Sequence, residues 1–168
     1  MAGSGIQIND QELRRLLGAL SELRRRAHDM APAMHDIGQA LTEGIRAHIS
    51  DGKDWSGGDF APNSTMVIAR KGRNQPLVDR GNLVGQRLHY QASRDAVQIG
   101  SSAIQAATLH FGARRGAFGR TRRGAPIPWG NIPPRPFMPV DGHGGLAPGA
   151  RQTVVDTIAD YLRDALGA

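Results

Sequence analysis

The fold is decided by residues 9–50, NDQELRRLLGALSELRRRAHDMAPAMHDIGQALTEGIRAHIS, which predict two consecutive helices. Asn9 and Glu12 have the spacing of a capping box, in which two side chains bond free amides at the start of a helix. Leucines then recur every three or four residues and share one face of the first helix: Leu13, Leu16, Leu17, Leu20 and Leu23. Such a face usually packs against the rest of the protein.

The second helix begins near Pro32, because a proline in the first turn of a helix leaves no backbone hydrogen bond unmade. Apolar residues keep the helical period as far as Ser50: Met34, Ile37, Leu41, Ile45 and Ile49. Residues 9–50 are therefore predicted to form a helical hairpin whose apolar faces meet each other or a sheet.

Beyond the hairpin, turn-forming residues become frequent. Residues 51–75, which include DGKDWSGGDFAPNST, are predicted to be a loop that Trp55 and Phe60 hold down, with Trp55 as a packing anchor. Residues 76–112 predict a β-hairpin and a short helix. In the hairpin, apolar side chains alternate with polar or small ones, at Val84, Leu88 and Tyr90 and then at Val97 and Ile99.

Residues 113–131, ARRGAFGRTRRGAPIPWGN, form a segment that we call the arm. Five arginines stand among its glycines, with Phe118 and Trp129 as the large apolar groups. So little of the arm is apolar that we predict it to be flexible until a partner orders it. Residues 132–168 follow as a proline-rich extended segment and a C-terminal helix that begins near Pro148.

Together these elements predict one α+β domain, an ordinary size for 168 residues. In it, the N-terminal helical hairpin and the C-terminal helix pack on a small antiparallel β-sheet, and the long flexible arm leaves the body.

Residue types exclude several classes of site. The chain has no cysteine, so disulfides, thiolate metal sites and cysteine nucleophiles are excluded. Its six histidines lack the spacing of a helical zinc site, and the loop acids Asp51, Asp54 and Asp59 do not fit a calcium loop. Nucleotide-binding and hydrolase motifs are absent too. No apolar run is long enough to cross a bilayer. We therefore expect no enzyme, metal, cofactor or membrane partner.

The residue types of the arm leave three interpretations open. Arginines with aromatic residues suit phosphate contact and base stacking, as in a basic nucleic-acid-binding protein, and the net charge of +6 agrees with this. The same arginines can pair with carboxylates of a neighbouring subunit on which the arm becomes ordered. An ordinary solvated loop is the third interpretation, although the arm is long for an idle connection.

From residue 51 onwards the chain resembles the phage virion morphogenesis, or tail completion, proteins of Mu-like and P2-like phages. Short motifs carry the resemblance and follow one another in the family's order: Trp55, Thr65, Leu77, Arg80–Gly81–Asn82–Leu83, Gly100, Ala106–Ala107, His110–Phe111–Gly112 and Arg135–Pro136–Phe137. The chain departs from the family at Gln105, where a tyrosine is common.

The resemblance implies a non-enzymatic structural subunit of a virion: a tail completion, tail terminator or head–tail joining (neck) protein. Its implied partners are copies of itself in a ring, of which a hexamer is one form, and other neck, connector or tail-tube proteins. DNA in the channel is a further candidate. The implied location is the virion, after assembly in the bacterial host's cytoplasm.

We expect the partner contacts to come from the arm, with Arg135 and Phe137 anchoring its base. The contact residues in the arm are Arg114, Arg115, Phe118, Arg120, Arg122, Arg123 and Trp129.

Overall fold

The computed structural model describes residues 10–78 and 87–166. In chain order the elements are α1 (Asp10–His28), α2 (Ala31–Asp51), α3 (Thr65–Lys71), β1 (Leu88–Ala92), β2 (Val97–Ser101), α4 (Ala106–Phe111), α5 (Pro148–Arg163) and a 3₁₀ turn (Asp164–Leu166). Helices with a small antiparallel sheet confirm the predicted α+β class. Asn9, the motif Arg80–Gly81–Asn82–Leu83 and Val84 lie outside the described residues.

Helix α2 lies at the centre of the fold, in contact with both strands and with α5. The apolar face that its helical period predicts is the face that is buried, through Ile37, Leu41, Ile45 and Ile49. Gly52 ends the helix in the left-handed conformation (φ 73°). Its amide donates hydrogen bonds to carbonyls of the last turn. The second predicted helix is confirmed.

Strands β1 and β2 form a two-stranded antiparallel sheet in which Leu88 lies opposite Ser101 and Tyr90 lies opposite Ile99. The sheet packs on α2, and α2 in turn packs against α5. The predicted β-hairpin and the start of the C-terminal helix at Pro148 are confirmed.

The core consists of two apolar clusters that both touch Trp55. The first contains Ile45, Ile49, Phe60, Leu77, Leu88, Ala103, Ala106 and Phe137, and the second contains Ile37, Leu41, Ala147 and Ala150. Nε1 of Trp55 also donates to the Phe137 carbonyl at 3.1 Å. The interpretation of Trp55 as a packing anchor is confirmed.

The prediction of a loop over residues 51–75 is wrong for its second half, which contains α3. The Ser64 side chain caps this helix by accepting from the Val67 amide at 3.4 Å. Gly72 ends it in the left-handed conformation (φ 70°). Turn-forming residues cease at Asn63, and TMVIARK between the two caps contains no glycine or proline. The loop prediction therefore covered a short helix, which the absence of glycine and proline between Asn63 and Gly72 allows.

The expectation that the leucines of α1 are packed is wrong for four of the five, and only Leu23 is half-buried. Leu13, Leu16, Leu17 and Leu20 remain 45–60% exposed, and no residue of α1 is buried. The helix contacts α5 and the final 3₁₀ turn instead. There the Arg26 guanidinium donates to the Tyr161 carbonyl at 2.7 Å and lies over the Tyr161 ring.

The close approach of α2 to β1 generates a prediction. A Cβ at Gly38 would overlap the Tyr90 ring, so we expect Gly38→Ala to destabilise the protein by about 1–3 kcal/mol. Gly18→Ala is the matched control, since nothing lies within 4 Å of a Cβ there and alanine favours a helix. Chemical denaturation checks both variants. Equal stability changes in the two would contradict the proposed contact.

Candidate interaction site

The two ends of the arm are hydrogen-bonded to each other. The Ala113 amide donates to the Ile132 carbonyl at 2.9 Å, and the Ile132 amide returns a bond to the Ala113 carbonyl at 2.7 Å. Beside this pair, the Arg115 amide donates to Oδ1 of Asn131 at 2.9 Å. The arm therefore leaves the body and returns to it at one point.

Backbone hydrogen bonds continue along the arm. The Gly116 amide donates to the Pro128 carbonyl, and the Phe118 amide donates to the Ile127 carbonyl, at 3.0 and 2.8 Å. Near the tip, the Thr121 amide donates to the Ala125 carbonyl at 2.8 Å. The sequence prediction missed this pairing because it rested on the low apolar content of the arm, which says nothing about backbone hydrogen bonds. Flexibility of the arm in solution stays a prediction.

The exposed side chains of the arm indicate a binding surface. Phe118 is 57% exposed and Trp129 is 74% exposed. The arginines are exposed as well, and none lies within ion-pair distance of a carboxylate in the part of the chain that the structure describes: Arg114, Arg115, Arg120, Arg122 and Arg123. Because the arm contains no acidic residue, its charge is of one sign. The Arg120 guanidinium donates to the Gly124 carbonyl at 3.0 Å. Guanidinium groups without an ion pair, on a segment that also exposes aromatic rings, suit an acidic partner surface or a nucleic acid.

Arg135 and Phe137 lie inside the protein, at the base of the arm. The Arg135 guanidinium is only 6% exposed and donates to two carbonyls, of Ala61 at 2.7 Å and of Pro62 at 2.8 Å. Burial lowers the pKa of Arg135. Phe137 is fully buried. These two side chains hold the segment after the arm in the body and are not available to touch a partner.

Two motifs of the family resemblance meet at this base. The Arg135 amide donates to the carbonyl of Leu109 at 2.9 Å, and the Phe137 ring lies edge-on to the His110 ring at 5.3 Å. Gly112 follows with φ at 74°, and a Cβ on it would approach the Ile132 carbonyl oxygen to 2.6 Å. The entrance of the arm therefore requires a glycine.

His110 is buried among these groups. Its Nδ1 faces the Met138 amide at 3.4 Å, so that it acts as the acceptor of a long hydrogen bond. Burial lowers the pKa of His110, which favours the neutral ring in the folded protein.

The described part of the chain contains neither a candidate set of metal ligands nor a helix that could span a membrane. Within residues 10–78 and 87–166, no three histidine, aspartate or glutamate side chains gather as a possible set of metal ligands. Of the three loop acids, Asp54 accepts the amides of Ser56 and Gly58, each at 2.8 Å, as part of a turn. Among the helices in those same ranges, none is long and apolar enough to span a bilayer.

Sequence reasoning missed an open apolar cavity of about 630 Å³ on the body, which we call the apolar groove. Its walls come from α2, β2, α4, α5 and the segment around Met138. No local pattern announces such a groove, because it is made by elements that are distant in the sequence.

Comparison with known proteins gives one match. The model of the phage virion morphogenesis family matches residues 8–163, which is nearly the whole chain. No curated protein and no solved structure matches.

The bonds of Arg135 generate a stability prediction. Arg135→Ala leaves the Ala61 and Pro62 carbonyls without their donors, so we expect a loss of about 2–4 kcal/mol. Arg135→Lys should lose less, since one ammonium replaces the planar fork only in part. The control is Arg122→Ala in the arm, which should change stability by less than about 0.5 kcal/mol. Urea unfolding measures all three. A loss for Arg135→Ala no larger than the control's would contradict the anchoring role.

His110 generates a prediction about pH. Its pKa is lowered in the folded protein, so the unfolded chain binds more protons between that value and the ordinary value of 6.5. This contribution to stability is complete above pH 6.5 and is lost as the pH falls through that interval. We expect His110→Asn to weaken the fall in stability below pH 6.5, whereas the exposed His143→Asn keeps it. Unfolding free energies from pH 5 to 8 test this, and an unchanged pH profile in His110→Asn would contradict it.

Proposed function

The chain belongs to the phage virion morphogenesis family, and on that premise we propose that it completes the phage tail or joins the tail to the head. Membership gives it a structural or assembly role in a virion. Neck or tail terminator function, and assembly in the cytoplasm of the bacterial host, are parts of the proposal.

The single observation that carries the proposal is the exposed, basic surface of the arm on a base that is anchored in the body. Trp129 and the arginines are residue types that dominate binding energy at protein interfaces. Here they lie in solvent, while Arg135 and Phe137 below them are buried. Backbone bonds between the two halves of the arm lower the conformational entropy that is lost when a partner covers it.

We propose that copies of this chain form a ring in which the arm lies across the next subunit. A contact between two different surfaces repeats from copy to copy and closes when the rotation allows, as in a hexamer. Carboxylates on the neighbour would pair with the arginines, and an apolar hollow would receive Phe118 and Trp129. Other neck, connector or tail-tube proteins are proposed to bind the ring's faces.

A second candidate function is DNA binding through the same arm. The five exposed arginines, with no acid in the arm, favour phosphate contact equally well. If all five replaced counterions, the logarithm of the binding constant would fall with the logarithm of salt concentration with a slope of about −4.5. Titration of duplex DNA into the monomer separates the candidates: a steep slope that disappears when the arm is removed favours DNA.

The arm supplies the functional prediction. The mutual bonds of Ala113 and Ile132 allow residues 114–131 to be replaced by Asn-Gly, a two-residue turn that closes an antiparallel pair. We expect this variant to fold with a melting temperature close to that of the wild type. Supplied to a phage that lacks the gene, it should fail to complete particles. Infectious particles at the normal yield would contradict the proposal.

A finer variant separates the aromatic groups from general hydrophobicity. Phe118→Ser/Trp129→Ser is expected to lower the yield of infectious particles by at least about tenfold, as loss of two interface anchors would. Met66→Ser/Ile104→Ser is the matched control, because both side chains are exposed, at 78% and 97%, and lie outside the arm. Equal losses in the two variants would show that the arm has no special role.

A further inference from the structure

Within residues 10–78 and 87–166, nothing covers two apolar surfaces of this chain, and we propose that these surfaces bind each other between copies. The first is the leucine face of α1, made of Leu13, Leu16, Leu17 and Leu20. The second is the apolar groove. The inference names an interface for the proposed ring and rests on the proposed function to that extent.

The leucine face consists of four side chains that are exposed to solvent. Its four side chains are exposed by 45%, 60%, 58% and 58% in chain order. The helix meets the body through the adjoining side, where Ala19, Leu23 and Arg26 are half-buried. Contiguous exposed leucines of this kind mark a surface that another molecule covers.

The apolar groove is open and lined mostly by carbon. Val97 and Ile99 of β2 and Val154 and Ile158 of α5 are half-buried residues of its walls. Ile37 and Leu41 of α2, each 4% exposed, also line it and belong to the core. Its volume of about 630 Å³ lies in the range of cavities that bind ligands. Water in such a groove is released favourably when an apolar side chain enters.

The spacing of the leucines matches the way in which helices bind grooves. Leu13, Leu16, Leu17 and Leu20 stand at positions i, i+3, i+4 and i+7, the anchor pattern of an amphipathic helix in an apolar groove. The charges agree as well. Arg24 follows Leu20 by one turn on the same face, and Asp95 is the one acidic side chain among the residues that line the groove.

A second copy is the occupant that these observations favour. No residue of the leucine face lines the groove of its own chain, among the residues described. The two surfaces therefore share no residue on one subunit. Such a pair makes a head-to-tail contact, which each added copy repeats and which closes as a ring.

Paired substitutions test the leucine face. Leu17→Glu places a charge in the face, whereas Gly18→Glu places the same charge on the next residue, where nothing lies within 4 Å of a Cβ. Sedimentation velocity over a range of concentrations measures self-association of the full chain. We expect Leu17→Glu to weaken it by about tenfold or more and Gly18→Glu to leave it unchanged. A wild type that stays monomeric, or equal association in both variants, overturns the inference.

Cross-linking identifies the surface that the leucine face meets. The chain has no cysteine, so Leu16→Cys carries a single benzophenone label, and copies with light and heavy isotopes are mixed. We expect light–heavy cross-links to the β2 and α5 walls of the groove. Cross-links to the arm, or only within one copy, overturn the inference.

The outcome is separable from that of the proposed function. If Leu17→Glu associates normally while the arm replacement still blocks particle completion, the inference fails and the proposed function stands. If Leu17→Glu abolishes association while the arm replacement completes particles, the interface stands and the arm's role fails.

Discussion

The position of the arm depends on the buried side chains of Arg135 and Phe137. A guanidinium inside a protein loses the hydration of its charge, and no carboxylate among residues 10–78 and 87–166 forms an ion pair with Arg135 to offset that loss. The Ala61 and Pro62 carbonyls accept its hydrogen bonds instead, which ties the loop before α3 to the segment after the arm. Phe137 adds a ring in the core and a carbonyl that accepts from Trp55. The loop before α3, helix α4 and the segment after the arm thus hold the base of the arm together.

The molecule combines a packed body with apolar and basic surfaces that stay exposed. Within the body, α2 buries a continuous apolar face and joins the sheet to α5. Outside it, the arm exposes Trp129 and its arginines, α1 exposes four leucines, and the apolar groove stays open. Incorporation into a particle, which we propose for this chain, would bury such surfaces. This combination is what membership of a virion morphogenesis family leads one to expect.

Sequence reasoning succeeded where local patterns determine structure. The period of α2, the alternation along β1 and β2 and the proline at the start of α5 are properties of neighbouring residues, and each was confirmed. The family was recognised from short motifs in the right order, and the match over residues 8–163 confirms it.

The wrong or missing predictions concern features that depend on contacts between residues far apart in the sequence. The spacing of Leu13 to Leu20 shows that these residues share a face, but not that Arg26 and Tyr161 hold the helix by another side. The groove draws its walls from five parts of the chain. In the arm, backbone bonds such as that from Phe118 to Ile127 need turns and not apolar side chains, so composition alone missed them.

The most direct test of the account is a reconstruction of the purified phage particle by electron cryomicroscopy, at a resolution that shows side chains. The account predicts density for a ring of this chain at the head-proximal end of the tail, with Phe118 and Trp129 buried against adjoining protein. A particle in which this chain is present and its arms lie in solvent, touching neither subunit nor DNA, would contradict it.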